Sequence, residues 1–203
     1  AYITLAHRHL SRGRYEEGLA LTRQARAISE RLDLGDVISD SLCNEAYVVH
    51  ATGGDWTPLM RAALETALSG GHEYQVGAVF VDMYWRYCGD LHHEEGEQIY
   101  NQAMAYHDVH DIGTFANCLL GERVGVLEKL GRWDECISVT HTMLEERSIS
   151  PANRMQPLCC QAKVMARRGQ DGYWALLDEA MHLALGLDEP EWLSFVGLAR
   201  VEA

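Results

Sequence analysis

Lysine is nearly missing from this chain. Of its 17 basic side chains only Lys129 and Lys163 are lysines, and neither is followed by serine or threonine. A nucleotide phosphate loop needs glycines framing a Lys-Ser or Lys-Thr pair, so that backbone amides and one ammonium cradle the phosphates. Gly71 and Gly77 form the nearest frame, and the pair is absent. Alternating β-branched runs are absent too, so no strand leads into a glycine cluster and a dinucleotide fingerprint is excluded with the phosphate loop. There is no HExxH spacing and no Cys-x-x-Cys pair. The most apolar stretch, residues 74–87, is short and interrupted by Gln75, Asp82 and Arg86, so no bilayer span is expected. Positive charge is scarce overall, the formal net charge being −13. Residues 1–31 carry Arg8, Arg12, Arg14, Arg23, Arg26 and Arg31 against Glu16, Glu17 and Glu30, a net of +3, which leaves −16 for the remainder. An acidic segment repels phosphate backbones, so direct nucleic-acid binding is not expected.

The six cysteines, Cys43, Cys88, Cys118, Cys136, Cys159 and Cys160, all fall in segments with helical periodicity, where small buried thiols are common. A reduced, cytoplasmic setting is expected. With no initiator methionine and an apolar run at its end, residues 192–201, the sequence reads as a piece of a longer chain.

What is abundant is helical repetition. Five apolar runs stop at a glycine and resume after a short polar step: Gly13, Gly54, Gly89, Gly131 and Gly169. The interval drifts, shortest from Gly54 to Gly89 and longest from Gly89 to Gly131, but it never disappears. Self-similarity with a period of roughly 40 residues signals stacked supersecondary modules. The spacing predicts helices over 1–11, 14–32, 36–52, 57–69, 72–88, 92–108, 112–130, 133–147, 154–168, 172–186 and 190–203. The interhelix glycines are expected to take the left-handed conformation that closes a helix. Thr57-Pro58 and Ser150-Pro151 read as N-caps with proline in the first turn, and Pro157 as either a start or a kink. Gly18, Thr22 and Ala25, Gly96, Tyr100 and Ala103, and Cys136, Thr140 and Met143 occupy matching positions, where small residues let paired helices approach. Tyr15, Trp56 and Trp133 follow the turns and are placed to plug gaps between hairpins. No single hairpin buries its own apolar face, so hairpins must stack.

Gly13-Arg14-Tyr15-Glu16-Glu17-Gly18-Leu19-Ala20 resembles the turn and second helix of tetratricopeptide repeats, and Gly131-Arg132-Trp133-Asp134-Glu135-Cys136 is a second copy. The tail from Ala166 to Ala180, Ala-Arg-Arg-Gly-Gln-Asp-Gly-Tyr-Trp-Ala-Leu-Leu-Asp-Glu-Ala, is similar to a segment of the helical-repeat regions in large actinobacterial ATPase regulators of the LuxR type, related to the MalT-like signal-transduction ATPases. The resemblance implies an all-α, right-handed superhelical solenoid of about five TPR-like antiparallel hairpins plus a partial terminal helix. It spans one repeat domain over 1–203, with units near 1–34, 35–70, 71–110, 111–149, 150–187 and a partial 188–203. In that family the repeats take part in inducer sensing and oligomerisation, between a nucleotide-binding module and a helix-turn-helix; neither activity is assigned to this segment.

The family's spacing, counted back from each turn glycine, puts His7, Ser11, Asn44, Val48, Met83, Arg86, Tyr87, Glu128, Lys163 and Arg167 on a concave groove. The candidate groove set is Asn44, Met83, Arg86, Tyr87, Glu128, Lys163 and Arg167, with the polar members suited to a peptide or acidic ligand. The alternative for those cations is inter-repeat salt bridges to Glu122 or Asp82. His107, His110 and Asp111 could hold zinc if they share a face, or simply end a helix. The cysteines lack local bases, and the pairs Glu94-Glu95 and Glu145-Glu146 read as helix surface, so no catalytic, metal or cofactor site is expected. Met83, Tyr84, Trp85 and Tyr87 read as core before ligand pocket. The leading expectation is a non-enzymatic module binding a protein, peptide or small-molecule inducer in its groove. Its rivals are a self-associating scaffold with exposed apolar ends, and an enzyme built around the histidines of the third unit.

Overall fold

A computed structural model describes residues 1–145, 149–187 and 190–203. Among them it contains eleven helices and no strand: α1 (Tyr2–Leu10), α2 (Tyr15–Leu32), α3 (Gly35–Ala51), α4 (Thr57–Gly70), α5 (Glu73–Gly89), α6 (His93–His110), α7 (Gly113–Lys129), α8 (Trp133–Glu145), α9 (Pro151–Arg167), α10 (Tyr173–Leu187) and α11 (Pro190–Glu202). Every predicted helix is present. The predicted end of the eighth helix, and Glu146 of the Glu145-Glu146 pair, lie outside the described residues. No described helix is long and apolar enough to cross a membrane.

The punctuation is more regular than the sequence suggests. The left-handed residues that close the first helix of each hairpin are Gly13, Gly53, Leu91, Gly131 and Gly169, and the interval between them is nearly constant. Gly54 and Gly89 do not hold those positions. At each turn the following residue donates its N–H to the carbonyl five places back: Arg14 to His9, Gly54 to Val49, His92 to Tyr87, Arg132 to Leu127 and Gln170 to Met165. This is the bond that satisfies an orphan carbonyl at a helix end. The same closure ends α2, α4 and α6, at Asp33, Gly71 and Asp111, through Leu34 to Ser29, His72 to Ala67 and Ile112 to His107.

One cap and one proline also need correction. Ser150 caps α9 as expected, its hydroxyl accepting from the Asn153 N–H at 3.3 Å. Thr57 does not cap α4; the Asp55 carboxylate accepts from the Thr57 N–H at 3.0 Å instead, because a carboxylate two residues back reaches that amide directly. Pro157 does not start its helix. It lies buried inside α9, which begins at Pro151, and α9 forgoes one backbone bond there.

The described residues form two compact units, 1–112 and 113–203. In the first, α1 packs on α2, α3 on α4 and α5 on α6, while α1 also meets α3, and α3 meets α5. In the second, α7 packs on α8 and α9 on α10, while α7 also meets α9, and α9 meets α11. The even helices bury one narrow stripe, such as Gly18, Thr22, Ala25 and Ser29 in α2 or Leu177, Ala180 and Ala184 in α10. The odd helices α3, α5, α7 and α9 bury more: α5 hides Val76, Gly77, Val79, Phe80, Met83, Tyr84, Arg86 and Tyr87, as a helix contacted on several sides must. Close approach is enforced at Gly18, where a Cβ would run into the Leu10 side chain and lie 3.2 Å from the Ala6 carbonyl oxygen.

Aromatic residues after the turns reach the next hairpin. Tyr15 meets Tyr47 edge-on at 6.4 Å, Trp56 meets Tyr87 at 4.7 Å, and the Arg168 guanidinium lies over the Trp133 ring at 5.7 Å. Leu91 alone among the five closures carries a side chain, and it is 76% exposed. A left-handed conformation costs such a residue about 1–2 kcal/mol. Leu91→Gly is therefore expected to raise the unfolding free energy by about 1 kcal/mol, once glycine's larger unfolded-state entropy is subtracted. Urea titration checks this, with Leu91→Ala as the control that gains nothing.

Candidate functional site

In the first unit the odd helices α1, α3 and α5 leave a cavity of about 580 Å³ between them. Ile3, Thr4 and His7 contribute from α1, and Asp40, Cys43, Asn44 and Tyr47 from α3; Tyr74, Ala78, Val79, Asp82, Trp85 and Arg86 complete it from α5. The α3 residues recur every three or four positions, as do those of α5, so each helix offers one stripe. The volume falls in the range of small-molecule sites, which combine apolar walls with a few placed polar groups.

Arg86 is the most unusual of these groups, a guanidinium only 2% exposed. Removing such a charge from water costs several kcal/mol unless partners compensate. Its Nη2 donates to Asp82 Oδ2 at 3.1 Å and its Nη1 lies 3.4 Å from His50 Nδ1. Its Cζ sits 5.7 Å from the Tyr47 ring centroid and 5.6 Å from that of Trp85, distances at which ring quadrupoles attract a cation. Nε is buried with no hydrogen-bond partner. Arginine only donates, so His50 Nδ1 must accept and the ring proton belongs on Nε2, which faces Asp90 Oδ1 at 2.8 Å. Trp56 Nε1–H donates to the other Asp90 oxygen at 2.9 Å. Burial disfavours the Asp90 anion, but the hydrogen bonds from His50 and Trp56 outweigh it and hold the carboxyl below its usual range.

Asp40 stands differently. Burial raises its carboxyl above the usual value, a hydrogen bond to Gln75 opposes this, nearby Asp36 adds to it, and His7 offsets it weakly. Cys43, on the same wall, has its thiol pushed well up by burial, with Asp82 and Asp40 adding to the effect. Thiolate, the reactive form, is therefore scarce there at neutral pH. All six cysteines are free thiols. Burial lifts Cys136 to about 11 and Cys159 to about 12.

Among the sequence-derived groove residues, Asn44 and Arg86 line this cavity together with His7. Asn44 also donates to Thr22 Oγ1 at 3.4 Å. Met83 and Tyr87 are 2% and 7% exposed and belong to the core, as does Val48. Of the aromatic patch, Tyr84 is buried while Trp85 is 47% exposed on the cavity wall. Ser11 lies at the end of α1, bonded to the Arg8 carbonyl. Asp40, Tyr47, Tyr74 and Ala78 escaped the sequence reading, which took Trp85 for core, although Asp40 and Tyr47 lie four and three residues from Asn44, and Tyr74, Ala78 and Arg86 are separated by multiples of four.

Glu128, Lys163 and Arg167 meet in the second unit, around a cavity of about 420 Å³ that Trp133 and Glu202 also line. Lys163 Nζ donates to Glu128 Oε2 at 2.8 Å and to Glu202 Oε2 at 3.1 Å, and Arg167 Nη1 pairs with Glu128 Oε1. The counter-ion of both cations is thus Glu128, not Glu122, while Asp82 pairs with Arg86 within one helix. Glu128 is buried, 3% exposed. Burial opposes its ionisation, but Lys163 and then Arg167 outweigh that and keep its carboxyl below the usual 4.5. Burial likewise opposes the Lys163 ammonium, and Glu128 chiefly raises it above 10.5.

The histidines of the third hairpin separate. His107 is 2% exposed and packs edge-on against Phe80, and burial lowers its pKa. His110 stacks on Tyr106 at 4.1 Å and lies 3.1 Å from Glu73 Oε1. No group of three or more metal-ligating side chains comes together among the described residues. No family model, curated protein or solved structure matches the chain.

Because the Glu128 carboxyl is depressed in the folded state, its contribution is full above about pH 4.5 and is lost as pH falls through the lower folded value. Glu128→Gln is expected to cost about 3 kcal/mol at pH 7, since it leaves two cations around a neutral amide. It should also flatten the acid limb of the stability profile below about pH 4.5. Denaturant titrations across pH measure both effects.

Proposed function

We propose that the chain is a non-enzymatic binding module: a right-handed TPR-like solenoid of about five helical hairpins with a terminal helix, acting as the sensor and oligomerisation region of a cytoplasmic MalT-like transcriptional regulator. The observation that carries the binding reading is the cavity of about 580 Å³ lined by three successive odd helices, with Asn44 and Arg86 on its wall. Hairpin repeats suit such a role, because successive modules present equivalent helices to one ligand. The near-constant interval between left-handed closures, from Gly13 through Gly53, Leu91 and Gly131 to Gly169, supports the repeat reading. The free cysteines support a reducing compartment. The cations Lys163 and Arg167 are engaged by Glu128 and Glu202, so the second unit is read as structural.

Ala78 lines the cavity and Ala78→Phe would fill it without disturbing the packed faces. A mixed-charge library of fragments and short peptides, followed by proton–nitrogen correlation spectra, should give binders that shift Thr4, Asn44, Tyr47, Ala78 and Trp85. Those binders should be lost in Ala78→Phe while the thermal transition is retained. An empty screen, or hits that survive the plug, would overturn the assignment.

A self-association scaffold is the second reading, favoured by Leu198 and Val201 of α11, which are 59% and 83% exposed. Light scattering across concentration separates the two. A mass that rises with concentration in the parent chain but not in Leu198→Glu/Val201→Glu supports the scaffold, and a constant monomer mass removes it.

A further inference from the structure

The cavity of the first unit carries two carboxylates, and among the described residues only one has a counter-ion. Asp82 is paired with Arg86 at 3.1 Å. Asp40 takes part in no ion pair among the described residues, and its support is the hydrogen bond to Gln75 and the distant His7 imidazole. An anion held in a partly dry place without a cation is a standing cost that the fold leaves uncorrected. Arg86 does not correct it and is not free for an anionic guest. Its guanidinium is 2% exposed, engaged by Asp82 and His50 and lying over Tyr47 and Trp85, and its one idle nitrogen is buried. Setting the His7 imidazole aside, the lining holds two acidic side chains, Asp40 and Asp82, and one basic one, Arg86. The rest of the lining is uncharged: Ile3, Val79, Tyr74 and Trp85 give it apolar and aromatic walls, and Thr4, Cys43 and Asn44 add neutral polar groups.

The geometry points to a small organic amine as the ligand of this cavity, its ammonium paired with Asp40 and its hydrocarbon or aryl body against Tyr74 and Trp85. This rests on reading the cavity as the binding site. A cation brought beside Asp40 supplies the counter-charge that the protein omits, and does so where partial burial strengthens the pair. The aromatic walls favour a flat or branched apolar body and add cation–π attraction for a charge near the ring faces. The cavity volume suits a compact molecule rather than a folded partner.

The test uses the 203-residue chain and three probes sharing one skeleton: phenethylamine, 2-phenylethanol and 3-phenylpropionate. Titrations follow the Trp85 indole N–H and the Asn44 and Ala78 amides. Phenethylamine is expected to bind at least about tenfold more tightly than the other two. Asp40→Asn should erase that margin and leave the alcohol's affinity unchanged. Asp36→Asn, on the same helix but outside the lining, should keep it. Asp40→Asn is isosteric and removes a desolvated charge, so folding is not at risk; Asp40→Ser, with circular dichroism, is the second variant. If 3-phenylpropionate binds tightest, the amine assignment falls while the cavity keeps its role. Amine binding untouched by Asp40→Asn, or shifts mapping away from α1, α3 and α5, overturns it as well. Failure of all three probes does the same, and the fragment and peptide screen then decides the cavity's role independently.

Discussion

A left-handed residue at the end of a helix does two things at once. It satisfies a carbonyl that the helix leaves orphaned, and it reverses the chain within a few positions. Here the same closure ends all five first helices, so the turns recur at nearly one interval. Within each unit the odd helices face one another, α1 meeting α3 as α3 meets α5, and α7 meeting α9. The cavity of the first unit exists because three such helices converge with small residues, Ala78 and Cys43, facing inward among larger ones.

The second organising element is a run of polar contacts from Asp82 through Arg86 and His50 to Asp90 and Trp56. It ties the cavity wall to the turns of two successive hairpins. Each member depends on the next: Arg86 fixes the His50 tautomer, and that tautomer turns its Nε2–H toward the Asp90 carboxylate as a hydrogen-bond donor. A buried guanidinium tolerates this place only because its charge is answered by a carboxylate, an imidazole nitrogen and two aromatic faces. In the second unit the logic is inverted, since the buried charge is the carboxylate of Glu128 and the cations come to it.

Helix positions were legible in the sequence because periodicity and turn chemistry are local signals. The turn residues were less so. Gly53 and Gly54 are adjacent and either could take positive φ, while nothing in a leucine announces that Leu91 will. Choosing Gly54 and Gly89 made the repeat interval look irregular, and the structural closures remove most of that drift. Asn44 and Arg86 were reached by the spacing that the resemblance supplied. Asp40 was not, and Trp85 was taken for core, because the count began at the turn glycine and followed one line of positions, whereas the cavity stripe also takes residues on either side of that line. The partnership of Glu128 with Lys163 and Arg167 bridges separate helices, and no local pattern encodes which acid a cation will choose. Met83 and Tyr87 show the reverse error: a groove register pointed at residues that a several-sided helix folds inward.

Stacked hairpins ordinarily communicate only with their immediate neighbours, so fraying at one end is felt weakly two modules away. The first-unit cavity alters that arithmetic, because its walls belong to α1, α3 and α5 together. Anything lodged there adds a bond of second-neighbour range to a system otherwise limited to first neighbours. The reach of correlation within the first unit then changes with occupancy, and three helix pairs that could open one after another are made to open as one.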